Sequence, residues 1–340
     1  MKAFASNFSA YSTQDWLQKT EKDLKGKSLD ELSWSWDDNM AFAPAYFESL
    51  SADFKLQTND KPWSIGESFT VKSPTETNHA ILEALNMGVE RLQLTLSDTL
   101  SKEDWTKLLD KVILNYIILC IDLNVDTRSA ETLADYLKGQ EWTPAQLYLI
   151  TEPNTILPQP LMVSKCSSVD IHIQLDSPAK HLANQMRIAE QNLIETKQTK
   201  AIQFKMILSQ SFYHNIAWIQ AAQIIWQNIL DAHQLDPISP IHMVAHIQDN
   251  PHLDENTQKI NATIQAISAV VSGVQSLIIH PQVATQNPSF ERRINRNIQH
   301  LMKLESYMDQ VMNPTDGAYY FEQLTKELAE RAWTHFQELD

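Results

Sequence analysis

His242 and His246 stand four residues apart in the apolar run IHMVAHI, a spacing that first suggests a shared metal ion. On a strand, residues four apart lie about 13 Å from each other at 3.3 Å per residue. Two ligands of one ion must each come within about 2 Å of it, so this pair cannot share one. His246 and His280 instead close two successive apolar runs and can approach each other. Asp98, Asp122, Glu152, Asp176, His214 and Gln248 also follow apolar, β-rich runs. Barrel enzymes gather their catalytic groups at such strand ends. Asp98, Asp122 and Asp176 also precede helical patterns, where an acid serves as a cap or turn former. A Ser-His-Asp set can be drawn from many positions, but no GxSxG elbow occurs, so nucleophilic catalysis has no specific support.

The 340 residues include only six glycines, where average usage gives roughly 24. No two are close, which excludes GxGxxG, the Walker loop and other glycine-rich phosphate cradles. The net charge of −15 argues against nucleic acid and anionic membranes as partners. Arg292, Arg293 and Arg296 read as a solvated helix face rather than a basic patch. No apolar run reaches the roughly 18 residues of a membrane span, and the N-terminus MKAFASNFSAYS lacks signal-peptide character. Cys120 in an apolar segment and Cys166 in a loop-like one read as reduced thiols of a cytoplasmic protein.

The elements that must position these residues follow from periodicity. Eight β-rich runs occur near 63–71, 91–96, 116–121, 146–150, 169–175, 201–208, 241–247 and 275–279. Helical patterns near 75–87, 101–113, 127–138, 178–197, 213–233, 255–272 and 289–309 separate and follow them. This alternation predicts a parallel sheet with crossover helices, and eight strands predict an α/β, (β/α)8 TIM barrel over 62–340. Gly88, Gly139 and Gly273 fall between helix and strand, as C-caps do. The stretch 151–168 has three prolines and no helical period, so the fourth crossover helix is expected to be missing. An extra amphipathic helix is expected at 321–339. Residues 1–61 read as an N-terminal helix, opened by Ser12 and Asp15, followed by an extended aromatic arm. Trp34, Trp36, Phe42, Tyr46 and Phe47 in that arm must pack on the barrel or on a partner.

The C-terminal third carries more specific patterns. INATIQAISAVVSGVQSLIIHP (260–281) resembles RTTxEAxxAVxGGxQSLxTN of the methylmalonyl-CoA mutase family. RRINRNIQHLMKLES (292–306) and NPTDGAYYFEQLTKELAERAWTHFQELD (313–340) resemble that family's RIARNTQxxLxEE and DPxGGSYYxExLTxxLAxxAWxxFxxxE. SFYHNIAWIQAAQIIW (211–226) is similar to FFxEIAKxRAxRxLW. WLQKTEKDLKGKSLDELSW, PWSIGESF and NHAILEALNMGVERLQLTL look like the family's small, non-catalytic subunit. The resemblance runs through nearly the whole chain in order, weakly over 97–200.

The resemblance implies an association with adenosylcobalamin-dependent interconversion of methylmalonyl-CoA and succinyl-CoA, in which the cofactor does the hard step. Departures from the pattern imply that this chain is the non-catalytic, small-subunit type. It has no DxHxxG cobalamin motif and ends after the closing helix, so no C-terminal cobalamin domain is expected. Residues 48–62 read ESLSADFKLQTNDKP where the family's catalytic-tyrosine segment RGPYxTMY would stand. HSQTSG has become HIQDNP, keeping His246 and Gln248, and GGxQS keeps Gln275. The implied partner is a catalytic mutase chain carrying the cobalamin, in a heterodimer contacted through the arm. The chain alone is expected to bind no cofactor and no metal. The alternative is a barrel enzyme or small-ligand-binding protein using a mouth cluster of His246, Gln248, Gln275 and His280. An alternating set from Phe204, Met206, Leu208, Leu94, Ile118 and Leu149 is expected to fill the barrel axis.

Overall fold

The computed structural model describes residues 11–36, 40–48, 62–124, 126–152, 154–236, 241–282, 287–311 and 313–339. Helix α1 (Thr13–Asp23) opens with the expected capping box, Ser12 accepting from the Asp15 amide and Asp15 accepting in return. The arm that follows forms a short antiparallel pair, β1 (Trp34–Ser35) and β2 (Ala41–Phe42), with Trp34 opposite Phe42.

Eight parallel strands then close into a barrel: β3 (Ser64–Val71), β4 (Arg91–Leu96), β5 (Ile118–Asn124), β6 (Leu147–Thr151), β7 (Lys165–His172), β8 (Ile202–Ile207), β9 (Met243–Ile247) and β10 (Ser276–Ile279). The crossovers are α2 (Pro74–Asn86), α3 (Lys102–Leu108), α4 (Thr127–Leu137), α5 (Pro178–Thr196), α6 (Phe212–Ala232) and α7 (Glu255–Val271). Helix α8 (Pro288–His300) follows β10, and α9 (Tyr319–Gln337) packs on α5 and α6. This is the (β/α)8 barrel that the alternation predicts. Between β6 and β7 the described residues hold only a single 3-10 turn, Leu161–Ser164, so the fourth crossover helix is indeed missing. Strand β7 starts earlier than its hydropathy suggests, because Lys165 and Cys166 pair with Leu149 and Ile150. Cys166 is therefore a buried strand residue rather than part of a loop.

The direction in which the strands face overturns one expectation. Phe204 meets Trp226 of α6, and the Met243 sulfur accepts a hydrogen bond from Gln223 of the same helix. Met206 and Leu208 alternate in step with Phe204, and Leu94 and Leu149 also join the apolar packing between sheet and helices. Of the six residues expected to fill the axis, only Ile118 shares the inward register, beside Arg91. The inward set is mostly polar. It includes Ser68, Arg91, Gln93, Cys120, Tyr148, Ser168, Gln203, Lys205, His242, His246 and Ser276. Gly66 is required in this layer, since a Cβ there would lie 2.7 Å from Ile278 Cγ1 and 2.8 Å from the Leu277 carbonyl oxygen.

Candidate functional site

Arg91 crosses the barrel. It starts on β4, and its guanidinium reaches Gln203 Oε1 at 2.6 Å on β8 and His242 Nε2 at 3.1 Å beside β9. In an eight-stranded ring, β4 and β8 are diametrically opposite. The guanidinium also lies 5.7 Å from the centre of the Tyr148 ring, which is tilted against His242 at 4.4 Å. Arg91 is 0% exposed, so this polar crossbar closes the axis where an apolar plug was expected. Burial, then the Arg91 charge, holds His242 well below its ordinary pKa and thus neutral.

Above the crossbar, at the C-terminal ends of the strands, the structure brings His246 and His280 together as expected. His280 Nε2 lies 2.9 Å from His246 Nδ1, with the rings stacked at 5.2 Å. The other nitrogen of His280, Nδ1, lies 3.1 Å from Ser68 Oγ on β3. His246 is 3% exposed, and its Nε2 has no hydrogen-bond partner among the described residues. His280 is pushed down to about 4, mainly by burial and further by the charges of Lys205 and Arg292. His246 is likewise held well below its ordinary value, chiefly by burial, then by His280, Lys205 and Arg91. Lys205 pairs with Asp170 at 2.7 Å, both from inward positions at the same end of the barrel.

The other two residues grouped with these histidines lie elsewhere. Gln248 follows β9 and is exposed, and its carbonyl accepts from Gln258 Nε2. Gln275 precedes β10, at the opposite end of the barrel, where its side chain accepts from the Met243 amide at 2.6 Å. It therefore pins two strand starts and takes no part in the mouth. Asp98, Glu152 and Asp176 are exposed, and Asp122 is half-buried on the inward face of β5. The helices after Asp98 and Asp122 are capped instead by Ser101 and Asp126, and the helix after Asp176 opens at Ser177 with no side-chain cap.

The arm packs against its own barrel at this same end. Trp36 stacks on His214 at 4.2 Å, Trp34 lies 5.4 Å from it, and Trp34 Nε1 donates to the Tyr320 hydroxyl. His214, in the first turn of α6, is driven down to about 4 by burial. Trp36 and Phe42 are buried in the main apolar cluster. Expected as partner contacts, they are core residues of this chain. Tyr46 rests beside Tyr320 and stays half-buried, whereas Phe47 is 41% exposed against Trp16.

Arg292 and Arg296 are not a solvated face either. Both bond Glu67 on β3, at 2.8 and 2.9 Å, and Arg296 also bonds Glu83 on α2. Sequence reasoning passed over Ser68, Arg91, Lys205 and Gln203. A signal existed in the polar alternation of Ser64, Gly66, Ser68, Thr70 and of Arg91, Gln93, Thr95. It could not be read as inward, because both faces of a barrel strand are buried.

The profile of the family described as methylmalonyl-CoA mutase matches residues 186–340. A probable methylmalonyl-CoA mutase small subunit from Mycobacterium bovis is 24% identical, over 82% of this chain and 52% of its own length. A methylmalonyl-CoA mutase small subunit from Porphyromonas gingivalis is 23% identical, over 97% of this chain and 63% of its own. Over its C-terminal part this chain is similar to the methylmalonyl-CoA mutase family. It spans between half and two thirds of the length of these two relatives of that family. Among solved structures, dihydropteroate synthase from Thermus thermophilus aligns at a TM-score of 0.42 and 13% identity, covering 73% of this chain and 99% of that one.

Proposed function

We propose that this chain is a small-subunit component of an adenosylcobalamin-dependent methylmalonyl-CoA mutase. In this reading it is non-catalytic in the isomerisation and stabilises a catalytic, cobalamin-carrying chain in a heterodimer. The alignment with small-subunit relatives over most of the chain carries the proposal. The Arg91 crossbar supports the non-catalytic part, because a side chain bonded across the axis leaves no path for an acyl-CoA tail along it. The cobalamin motif DxHxxG does not occur in these 340 residues, so the residues present do not fit that cofactor.

The proposed contact with the partner runs through what the arm leaves exposed, Phe47 first and Tyr46 beside it. Co-expression with a catalytic mutase chain tests the assembly. Co-elution in one size-exclusion peak, weakened by Phe47→Ser, is expected. Separate elution of the two chains overturns the partnership. Turnover of methylmalonyl-CoA by the isolated chain with adenosylcobalamin would overturn the non-catalytic assignment.

A further inference from the structure

We propose that the C-terminal mouth of the barrel is a hydrolytic site for small activated esters, with Ser68 as nucleophile, His280 as its base and His246 as a positioning residue. The proposal is independent of any mutase partnership and is read on this chain alone.

Three adjacent strands supply the groups: β9 carries His246, β10 leads into His280, and β3 carries Ser68. The spacings, 3.1 Å from hydroxyl to base and 2.9 Å from base to orienting group, fall within reach for an activated nucleophile. Each His280 nitrogen has one partner, so its tautomer sets the proton order. When His280 Nε2–H donates to His246 Nδ1, the lone pair on His280 Nδ1 faces the Ser68 hydroxyl, which then donates to it. His246 then carries its proton on Nε2, the buried atom with no partner, and stays neutral. Ser68 is half-buried, whereas His246 is 3% exposed.

Two cations act on the base. Lys205 and Arg292 both act on His280, and Arg292 Nη1 donates to the Ser68 carbonyl at 2.9 Å. Their counter-charges are Asp170 on β7 and Glu67 on the outer face of β3, and Asp122 of β5 is also inward. Of the two cations, Lys205 is on the inward face and can face the oxyanion of an acyl intermediate. Burial first, then the charges of Lys205 and Arg292, keeps His280 neutral and able to accept a proton through the neutral range. In the first step Ser68 Oγ bonds the acyl carbon, its proton passes to His280 Nδ1, and the bond to the leaving oxygen breaks. The leaving group departs with the proton held by His280. Water then attacks the acyl-serine, gives a proton to His280, and the carboxylic acid leaves as Ser68 recovers its proton.

A fluorophosphonate probe on the full chain, followed by peptide mapping, tests this directly. One adduct on Ser68 is expected, together with hydrolysis of p-nitrophenyl acetate. Both vanish in Ser68→Ala, and both slow about 10²-fold in His280→Gln. His246→Asn, which keeps a carbonyl acceptor, retains most of the labelling rate that His246→Ala loses. No adduct on the wild-type chain, an adduct at another residue, or labelling unchanged by His280→Gln overturns the proposal. The wild-type mapping decides the matter even where a variant fails to fold.

Discussion

The two halves of the ring are built differently. Strands β3–β6 are covered by α2, α3 and α4, of 13, 7 and 11 residues, and by a single 3-10 turn where a fourth helix would lie. Strands β7–β10 are covered by α5, α6 and α7, of 19, 21 and 17 residues, with α9 and the aromatic arm added outside. Each half has its own apolar core, one around Trp105 and one around Trp218. The family profile begins at residue 186, inside the first long helix of the second half. At the seams the ladder is short: β6 and β7 pair only through Leu149–Lys165 and Ile150–Cys166. Polar bridges reinforce the join, with Arg91 crossing to Gln203 and His242, and Arg296 linking α8 to Glu67 and Glu83. The apolar shell thus divides the barrel into two packed bodies, and buried polar groups hold them in one ring.

Acid is expected to test the contrast most severely. His214, His242, His246 and His280 all belong to the second half, and burial lowers each below the ordinary value near 6.5. Above pH 6.5 neither folded nor unfolded chain binds these protons, and stability is full. As pH falls through 6.5 the unfolded chain takes up protons that the folded chain refuses, and stability drops until the folded values, near 4 for His214 and His280, are passed. Urea midpoints at pH 7.5 and 5 should differ clearly, with second-half amides losing hydrogen-exchange protection first. Equal midpoints would break the contrast.

Core truncations compare the halves directly. Trp105→Ala and Trp218→Ala, both fully buried, should each cost about 3–5 kcal/mol in urea unfolding. A gap above about 2 kcal/mol between them would show that one core dominates. At the seam, Glu67→Gln leaves Arg292 and Arg296 short of a counter-charge and should cost about 3 kcal/mol. Arg91→Met fills the axis with an apolar chain but leaves Gln203 Oε1 and His242 Nε2 without their donor, for about 1–3 kcal/mol. A more stable Arg91→Met variant would mean that the crossbar contributes nothing to joining the halves.

Much of the architecture was legible. The eight runs, the lost fourth crossover, the capping boxes at Ser12 and Ser101, and Gly88 and Gly273 with positive φ are local features written in local spacing. The pairing of His246 with His280 was legible from strand order. The site was less so. Gln275 and His280 flank the same short strand, yet one stands at its start and the other beyond its end. Arg292 and Arg296 sit in a charged helix whose partner, Glu67, is 225 and 229 residues away. The arm aromatics satisfy the pattern of a partner surface equally well, and only their burial against His214 and Tyr320 separates the cases.

By itself the sequence determined the alternation of strand and helix, and hence a closed parallel ring. The tertiary structure decided which alternate residues of each strand face the axis. A parallel barrel strand is buried on both sides, so period-2 alternation distinguishes two faces without naming either. Closure then brought β3 beside β10, placing Ser68 against His280, and carried Arg91 across to Gln203. Those contacts depend on the ring being closed.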